Sequence, residues 1–349
     1  MWPPGLIRGR TRIIMSKSNE EQLYGGQAVI EGVMMRGRRF FAVACRKTNG
    51  EIIVESESIE SVMKKFQWMN KPFLRGALMM IDTLVLGMKT LAFSAGIAMN
   101  DVQENQGRED AERVAKHFGV DPDYTQNPDA KPEDKQKSQP INDIAVGATM
   151  VLSLGIGIGV FIIAPHLLAQ CVGHWTHRAL WLNLAEGGFR LAMFTAYLGL
   201  VSLMKDIRRV WQYHGAEHKV INAYEAGVPL VPEEIDRFKT YHPRCGTSFM
   251  MFVLIMTIIA YSFLGWHAHW YIRILSRLAL LPFIAAVAYE IIRLAGRFRS
   301  SALLLIVSFP GYVFQWLTTA EPTRDQVEVA LMAFQTVRSR EEEMVEAAV

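Results

Sequence analysis

The second half of the chain is dominated by long stretches without charge. No Asp, Glu, Lys or Arg occurs from Ile144 to His177 or from Cys245 to Ile272. Each stretch is longer than the roughly 20 residues that cross a bilayer as a helix. The last apolar run contains Pro310-Gly311 and is expected either to span or to enter the membrane and return. The pattern predicts an α-helical multi-pass membrane protein of four or five spans, at about residues 144–166, 191–204, 249–267, 278–290 and 300–320.

The N-terminal part has short runs of strand-forming residues. In FFAVACRKTNGEIIVES, two such runs flank Asn49-Gly50, a dipeptide that favours a type I′ hairpin turn. The preceding segment, GGQAVIEGVMMRG, is rich in glycine, which indicates turns or close backbone approach. We therefore expect a small α+β unit on the cytoplasmic side.

An apolar helix is predicted between Leu74 and Met99, and its charges recur every seven residues. Arg75, Asp82 and Lys89 lie on one narrow stripe of this helix. Three charges make a membrane crossing costly, which favours an amphipathic helix lying in the membrane interface. The alternative is a helix whose charged stripe lines a polar interior.

Composition divides the chain into five segments. Residues 100–142 are rich in charges, Gln, Asn and Pro and are too polar to form a core, so they are expected to be a flexible linker. The full division is a flexible basic tail (1–23), a soluble α+β unit with its amphipathic helix (24–99), the linker (100–142), a transmembrane body (143–320) and a C-terminal soluble helix (321–349).

Charge and cysteine content exclude some classes of function. The net charge of +3 is spread among segments of mixed sign, so a nucleic-acid partner is not indicated. The three cysteines are scattered and do not form a disulfide framework. The loop 205–248 holds seven Lys and Arg residues, whereas the loop between the first two spans holds only Arg178. The excess of positive charge predicts that the loop 205–248 faces the cytoplasm.

The segment YHGAEHK, residues 213–219, is the clearest candidate for chemistry. On a helix over residues 205–225, His214 and His218 point the same way, one turn apart, and an i,i+4 pair of imidazoles can share a metal ion such as zinc. Glu217 precedes the second histidine, where a carboxylate could take a proton from water at the metal. The order H-x-x-E-H is the inverse of the H-E-x-x-H metallopeptidase helix. Gly215 costs a helix about 1 kcal/mol, which suggests close approach of another backbone or a substrate; the alternative is a pair of ordinary core histidines.

A metal site needs further ligands, and the sequence offers several. His242 and Cys245 lie in the turn YHPRCGTSF before the third span, Glu290 lies at the end of the fourth, and Glu31 is a weaker candidate. Binding by both histidines, His242 and Cys245 would close a four-coordinate structural site. Three ligands that include a carboxylate, with a water, would make a hydrolytic centre. The sequence leaves both open.

Other polar residues have simpler interpretations. Glu186 and Arg190 form an i,i+4 pair that can neutralise itself. Lys219 and Arg244 could bind an anionic group but are read as solvated surface charges. Five histidines at the predicted outer ends of spans are attributed to interfacial packing: residues 166, 174, 177, 267 and 269.

Several ordered motifs resemble the YqhQ-like family of bacterial membrane proteins, a domain of unknown function described as a predicted metal-dependent enzyme. The motifs are GGQAVIEGVMMRG, YHGAEHKVINAYEAG, HPRCGTSF, AYEIIRLAG and FPGYVFQWLTTAEPTRDQVEVA. The resemblance covers residues 24 to 335 apart from the linker. It implies a multi-pass protein of the bacterial inner membrane with a metal site. The matching positions are His214, Glu217, His218, His242, Cys245 and Glu290.

Together these observations predict a metal-dependent hydrolase of the zinc type, acting at the cytoplasmic face on a lipid-like or membrane-presented substrate. His214 and His218 would bind the ion, Glu217 would be the general base, and Glu290 or the turn with His242 and Cys245 would complete the site. One alternative is a non-enzymatic assembly or scaffold protein with a structural metal clip. Another is a transporter that uses Glu290 and the Glu186/Arg190 pair.

Overall fold

The N-terminal segment folds into an antiparallel sheet in the order β1-β2-β3-β4. Its strands are β1 (Gly25–Val29), β2 (Gly32–Arg36), β3 (Phe40–Arg46) and β4 (Ile52–Ser58). This computed structural model describes residues 24–59, 81–102, 143–265, 269–297 and 302–346. The predicted tail (1–23), nearly all of the predicted linker and Arg75 lie outside the described residues.

The hairpin around Asn49-Gly50 is confirmed, but its turn is longer than predicted. The N–H of Lys47 donates to the carbonyl of Glu51 at 2.8 Å, and the N–H of Gly50 donates to the carbonyl of Lys47 at 3.0 Å. Three residues therefore form the loop. Gly50 has φ +90°, as in a three-residue hairpin loop whose last residue is left-handed. A type I′ turn would also require positive φ at Asn49, which that residue does not have.

Most of the chain is helical. The helices are α1 (Ile81–Val102), α2 (Asp143–Ile158), α3 (Ala164–Val172), α4 (Ala179–Val201), α5 (Lys205–Glu225), α6 (Pro232–Ile235), α7 (Gly246–Ser262), α8 (Trp270–Arg297), α9 (Ala302–Thr318) and α10 (Arg324–Glu346), with a π-helical turn, Gly159–Ile163, joining α2 to α3.

The helices agree with the predicted apolar runs in position but not always in length. Three helical segments in the described part of the chain are long and apolar enough to cross a membrane: Ile81–Val102, Val151–Val172 and Tyr271–Ile291. A fourth is added if α4 and α5, bent by 99°, count as one span. This composition is compatible with a membrane protein. At 17 residues, α7 measures about 26 Å and ends before the predicted residue 267. Pro310 lies inside α9, so the expected interruption there does not end the helix.

Both faces of the sheet are covered. Side chains that alternate along β2 and β3 pack on one face against α5 and α10, in a core that includes Val33, Ala44, Val220 and Phe334. On the other face, Met34, Phe41, Val43 and Cys45 form a core with Leu86 of α1. The sheet is therefore held between α1 and the α5/α10 pair.

The charged residues of α1 face the sheet. Lys89 pairs with Glu57 of β4, and Asp101 accepts a hydrogen bond from the backbone N–H of Thr48 at 2.8 Å. Asp82 is buried as well. The opposite side of α1 exposes large apolar residues, among them Leu84, Val85 and Met88. The polar contacts of α1 are thus made to the sheet. The helix is also one of the candidate membrane spans, so its placement in the membrane interface stays a prediction.

A buried ionic cluster joins three of the membrane-type helices. Glu186 pairs with Arg190 one turn on, as predicted, and also with Arg277 of α8. The Nδ1 atom of His166 lies 2.9 Å from Glu186. The attribution of His166 to interfacial packing is therefore wrong, because this ring is buried at 3% exposure and bound to a carboxylate. Arg190 also donates to the carbonyl of Phe161 at 3.0 Å, within the π-helical turn, where a wider helix leaves carbonyls available.

Candidate metal centre

The two histidines of YHGAEHK meet as the helical spacing predicts. Helix α5 begins at Lys205 and ends at Glu225, and the ring centroids of His214 and His218 are 4.4 Å apart. Both rings are buried. One helix therefore supplies two imidazoles to one position.

The prediction of a close backbone approach at Gly215 is confirmed. A Cβ atom at this position would overlap the carbonyl oxygen of Ala320. The N–H of Ala320 donates to the carbonyl of Trp211 at 3.0 Å, which fixes the segment after α9 against α5. Gly215 thus lets this segment lie beside the histidines.

We expect Gly215→Ala to lower the free energy of unfolding by about 1–3 kcal/mol, because backbone atoms cannot move aside as a side-chain tip can. The matched control is Gly188→Ala in α4, where an added Cβ has no atom within 4 Å. Thermal unfolding in detergent measures both variants. Equal stability of the two would contradict the close approach.

Backbone carbonyls fix the tautomers of both rings. His214 Nδ1 lies 2.7 Å from the carbonyl of Thr318, and His218 Nδ1 lies 2.5 Å from the carbonyl of Thr240. A carbonyl only accepts, so each Nδ1 carries the proton and each Nε2 keeps its lone pair. Metal-binding histidines are commonly oriented in this way. Burial, reinforced by neighbouring His214, lowers the pKa of His218, which favours the neutral ring that a metal requires.

The Nε2 atoms face Cys245. His214 Nε2 lies 3.1 Å from the sulfur. His218 Nε2 is buried and has no hydrogen-bond partner among the described residues. A buried acceptor without a partner destabilises the folded protein unless a ligand or ion binds to it. One ligand atom from each of His214, His218 and Cys245 lies within 4.8 Å of the others.

Cys245 is the N-cap of α7. Its sulfur accepts from the N–H of Thr247 at 3.4 Å and lies 3.1 Å from the Thr247 hydroxyl. Burial acts to raise the pKa of the thiol, but the neighbouring His218 ring and the hydrogen bonds with Thr247 outweigh it, and the pKa of Cys245 is lowered. A helix N-terminus and neighbouring donors favour the thiolate, which is the form that binds metals.

A buried amide holds the turn that carries Cys245. The Gln315 side chain of α9 accepts from the N–H of His242 at 2.8 Å and donates to the carbonyl of the same residue at 3.0 Å. It also donates to the hydroxyl of Ser248 at 2.7 Å. Gly311 permits this packing, because a Cβ there would overlap Ser248. Sequence reasoning missed Gln315, although a single amide within the apolar run FPGYVFQWLT signals a buried polar partner.

The other candidate ligands are placed differently. The ring centroid of His242 is 5.8 Å from that of His218, and its Nε2 lies 3.6 Å from a carboxylate oxygen of Glu225. Glu31 pairs with Arg209. Glu290 lies on α8 and belongs neither to the group of three nor to the lining of the adjacent cavity. Among the described residues, the group that could hold an ion is therefore His214, His218 and Cys245.

Glu217 lies beside this group. Its carboxyl group packs against β1, since a Cβ at Gly26 would come within 2.9 Å of its Cδ atom. Burial raises the pKa of Glu217 to about 8, against the opposing effect of His214. Its buried Oε2 atom accepts no hydrogen bond from the described residues. The carboxyl group is thus available to a molecule in the cavity.

A cavity of about 2340 Å³ adjoins the group. The three candidate ligands and Glu217 line one part of it, β1 and the β2–β3 turn line another, and residues of α1, α7 and α8 complete the wall. It exceeds the roughly 300–1,000 Å³ of ordinary small-molecule pockets. The site is therefore open to a large ligand.

The donor set fits a divalent metal of the zinc type. Imidazole nitrogen and thiolate sulfur bind Zn²⁺ at about 2.0–2.3 Å, and three protein ligands are typical of sites that keep one position open. Ligand atoms that lie within 4.8 Å of one another can reach these metal–ligand distances with small movements of the side chains. The unpartnered Nε2 of His218 supports this assignment.

The interpretation of Lys219 and Arg244 as solvated surface charges is wrong for Lys219. Its side chain is buried at 2% exposure and pairs with Glu321, and it donates to the carbonyl of Asp236 at 3.0 Å. Arg244 pairs with Glu225. Lys219 thus connects α5 to Asp236 and to the segment after α9, and Arg244 connects the turn before α7 to the end of α5.

Fold and site define a largely helical protein with candidate membrane spans, a small antiparallel sheet and a His–His–Cys group beside a cavity. Comparison with known proteins identifies the family. The chain belongs to the family described as "Protein of unknown function (DUF1385)", whose profile matches residues 71–340. It is 32% identical over 329 residues to the "Uncharacterized protein YqhQ" of Bacillus subtilis (strain 168), covering 92% of this chain and 93% of that protein. No solved structure matches this chain. The resemblance found in the motifs is confirmed.

Proposed function

We propose that this protein is a metal-dependent hydrolase of the bacterial inner membrane that acts at the cytoplasmic face on a lipid-like or membrane-presented substrate. One observation carries the proposal. Ligand atoms of His214, His218 and Cys245 converge within 4.8 Å at the wall of a large cavity that the carboxyl group of Glu217 also lines.

The proposal assigns two roles to these residues, binding of the ion and transfer of a proton. His214, His218 and Cys245 would hold the ion, which when bound would supply Lewis-acid chemistry at the position facing the cavity. Glu217, in the ionised form that a neighbouring cation would favour, would accept a proton from the attacking water and return it to the leaving group, as a general base and then a general acid. The backbone of Gly26, against which Glu217 packs, would orient this carboxylate.

The geometry favours an open site over a structural clip. A closed zinc site would take a fourth ligand from the protein, and His242 was the candidate. Its Nε2 lies 3.6 Å from a carboxylate oxygen of Glu225, and His242 is not in the group of three. In this proposal Cys245, rather than Glu290, would complete the site, and the carboxyl group of Glu217 would remain for proton transfer.

The proposed location follows from charge and burial. Seven Lys and Arg residues in the loop 205–248 favour the cytoplasmic side, and the sheet would lie there because it shares a core with α5. The exposed apolar face of α1 suits the membrane interface. A substrate would then reach the cavity from the inner leaflet.

Glu217→Gln tests the hydrolase directly. We expect the variant to keep its metal and fold but to release products from vesicles of bacterial polar lipids about 10²–10⁴-fold more slowly, the usual contribution of a general base. Mass spectrometry of the lipids and metal analysis of the purified protein are the measurements. Glu233→Gln, on the exposed surface of α6, is the matched control.

Equal product formation by wild type and Glu217→Gln would exclude Glu217 as the base. If alanine substitutions of His214, His218 and Cys245 altered only stability, the site would be a structural clip in an assembly or scaffold protein.

A further inference from the structure

One edge of the sheet faces the cavity at the metal centre. Five consecutive residues, Tyr24 to Ala28, line this cavity, and four of them belong to β1. Side chains alternate between the two faces of a strand, so a run of consecutive lining residues means that the backbone edge of β1 is turned toward the cavity. This strand lies at the end of the sheet and pairs with β2 alone among the described strands.

The hydrogen-bond alternation of the sheet directs two residues of β1 outward. The N–H of Arg46 donates to the carbonyl of Glu31 at 2.8 Å, which leaves the even-numbered residues of β2 to bond to β1. These pair with the odd-numbered residues of β1, such as Gln27. Bonded and outward-facing residues alternate along an antiparallel strand, so the N–H and C=O groups of Gly26 and Ala28 point away from β2.

This edge is open. The outward backbone groups of Ala28 have no hydrogen bond to the rest of the described chain, although the residue is half-buried and backbone groups away from water normally have partners. Gly25 and Gly26 carry no side chain, and both are exposed. An added strand could therefore approach β1 from the cavity and take up its remaining hydrogen bonds.

Glu217 lies over the face of β1 and not in line with its edge. A Cβ at Gly26 would come within 2.9 Å of Glu217 Cδ, and side chains at positions 26 and 28 share one face of the strand. On this face, Ala28 packs against the core that β2 and β3 form with α5 and α10. A strand paired at the edge, about 4.8 Å from β1, would thus pass beside the carboxyl group of Glu217 without colliding with it.

We propose that β1 binds an extended peptide segment as an added strand. Main-chain hydrogen bonds to a sheet edge are a common way to bind such a segment. The proposal deepens the hydrolase function, on which it rests for one assignment: the bound segment is the membrane-presented substrate. The water oxygen would bond to the carbonyl carbon of an amide, the C–N bond would break, and the amine would leave with the proton that Glu217 returns.

Another wall of the cavity favours apolar side chains in this segment. Phe249 and Met250 of α7 and Leu281 of α8 line the cavity, and Met250 and Leu281 are exposed. The five residues of β1 extend over about 17 Å, which suits a partner of similar length. A lipid is the other ligand that this wall suggests, but a hydrocarbon chain cannot form hydrogen bonds with the outward groups of β1.

N-methylated peptides test the strand pairing on the detergent-purified wild-type chain. The parent probe is Lys-Val-Ala-Val-Ala-Val-Lys, and two further probes carry N-methyl groups on every Val or on every Ala. In an added strand, alternate N–H groups face β1 and the others face away. By calorimetry, we expect one methylated probe to bind like the parent and the other about tenfold or more weakly, because it loses its bonds to the carbonyls of Gly26 and Ala28. Equal affinities of the two methylated probes would overturn the proposal.

Ala28→Pro tests the edge from the side of the protein, since it removes one outward donor and places the proline ring there. Proline is tolerated in an edge strand whose N–H points outward, so the variant should keep its fold but bind the parent probe about tenfold or more weakly. Val54→Pro is the matched control, because Val54 has the corresponding outward position on β4, at the other edge and outside the cavity lining. Equal affinities of the two variants would contradict pairing at β1. If Ala28→Pro unfolds in a thermal scan, the methylated probes decide alone.

The metal-deficient variant His214→Ala/His218→Ala distinguishes this proposal from the hydrolase function. It should bind the parent probe as the wild type does, because strand pairing needs no ion. Loss of binding in this variant, with binding kept in Ala28→Pro, would place the peptide at the ion and overturn the proposal. If the probes bind as expected while wild type and Glu217→Gln leave the parent equally intact, the hydrolase function fails and the strand site stands. If lipid products form in a Glu217-dependent manner while no probe binds, the hydrolase function stands and the peptide proposal is wrong.

Discussion

The His214→Ala/His218→Ala variant is expected to purify with less than about one tenth of the wild-type metal. Structural zinc sites bind with about 10–16 kcal/mol, so the loss of two of three ligands should lower affinity by about 10⁵-fold or more. Cys245 alone cannot retain the ion through purification. Inductively coupled plasma mass spectrometry of the detergent-purified protein measures the metal content per chain.

His177→Ala is the matched control for this prediction. His177 is exposed and lies between α3 and α4, outside the group of three, so its removal should leave the metal content unchanged. Wild-type protein and the double variant with equal metal content would show that the histidines of α5 do not bind the ion. A variant that fails to fold is recognised by its gel-filtration profile, and His218→Gln alone then serves as the milder substitution.

Glu186→Ala is expected to lower the free energy of unfolding by about 3–5 kcal/mol, the usual result of removing one partner of a buried ion pair. Glu186 neutralises Arg190 and Arg277 at once, and its own side chain is 2% exposed. Without it, the buried guanidinium of Arg277 and the partly buried one of Arg190 lose their carboxylate. Denaturation in mixed detergent micelles measures the loss.

The control for this loss is an exposed ion pair elsewhere in the protein. Glu328 pairs with Arg46 and its side chain is 56% exposed, so Glu328→Ala should cost less than about 1 kcal/mol. A comparable loss in both variants would mean that water reaches the Glu186 cluster.

Local geometry explains what could be predicted from the sequence. The helix predicted for residues 205–225 forms over the same residues, and the two rings meet because residues four apart share a face of any α-helix. The strands around Asn49-Gly50 were likewise evident from their residues. The turn between them was misjudged by one residue, since loop length depends on how the strands pair.

Contacts between distant segments explain what could not be predicted. Cys245, His242 and Glu290 were candidates in the sequence, with Glu31 a weaker one, and the choice of Cys245 depends on where α7 begins relative to α5. That position is set by Gln315, 73 residues beyond His242. Likewise, Arg277 is 91 residues from Glu186, and no local pattern connects the two.

X-ray absorption at the zinc edge of the purified protein tests the central claim most directly. If His214, His218 and Cys245 hold one ion with one position open, the spectrum should show one sulfur at about 2.3 Å and lighter ligands, two of them imidazole, at about 2.0–2.1 Å. Cys245→Ser should remove the sulfur contribution. A wild-type spectrum without sulfur, or protein that contains no metal after growth with zinc, would contradict the account.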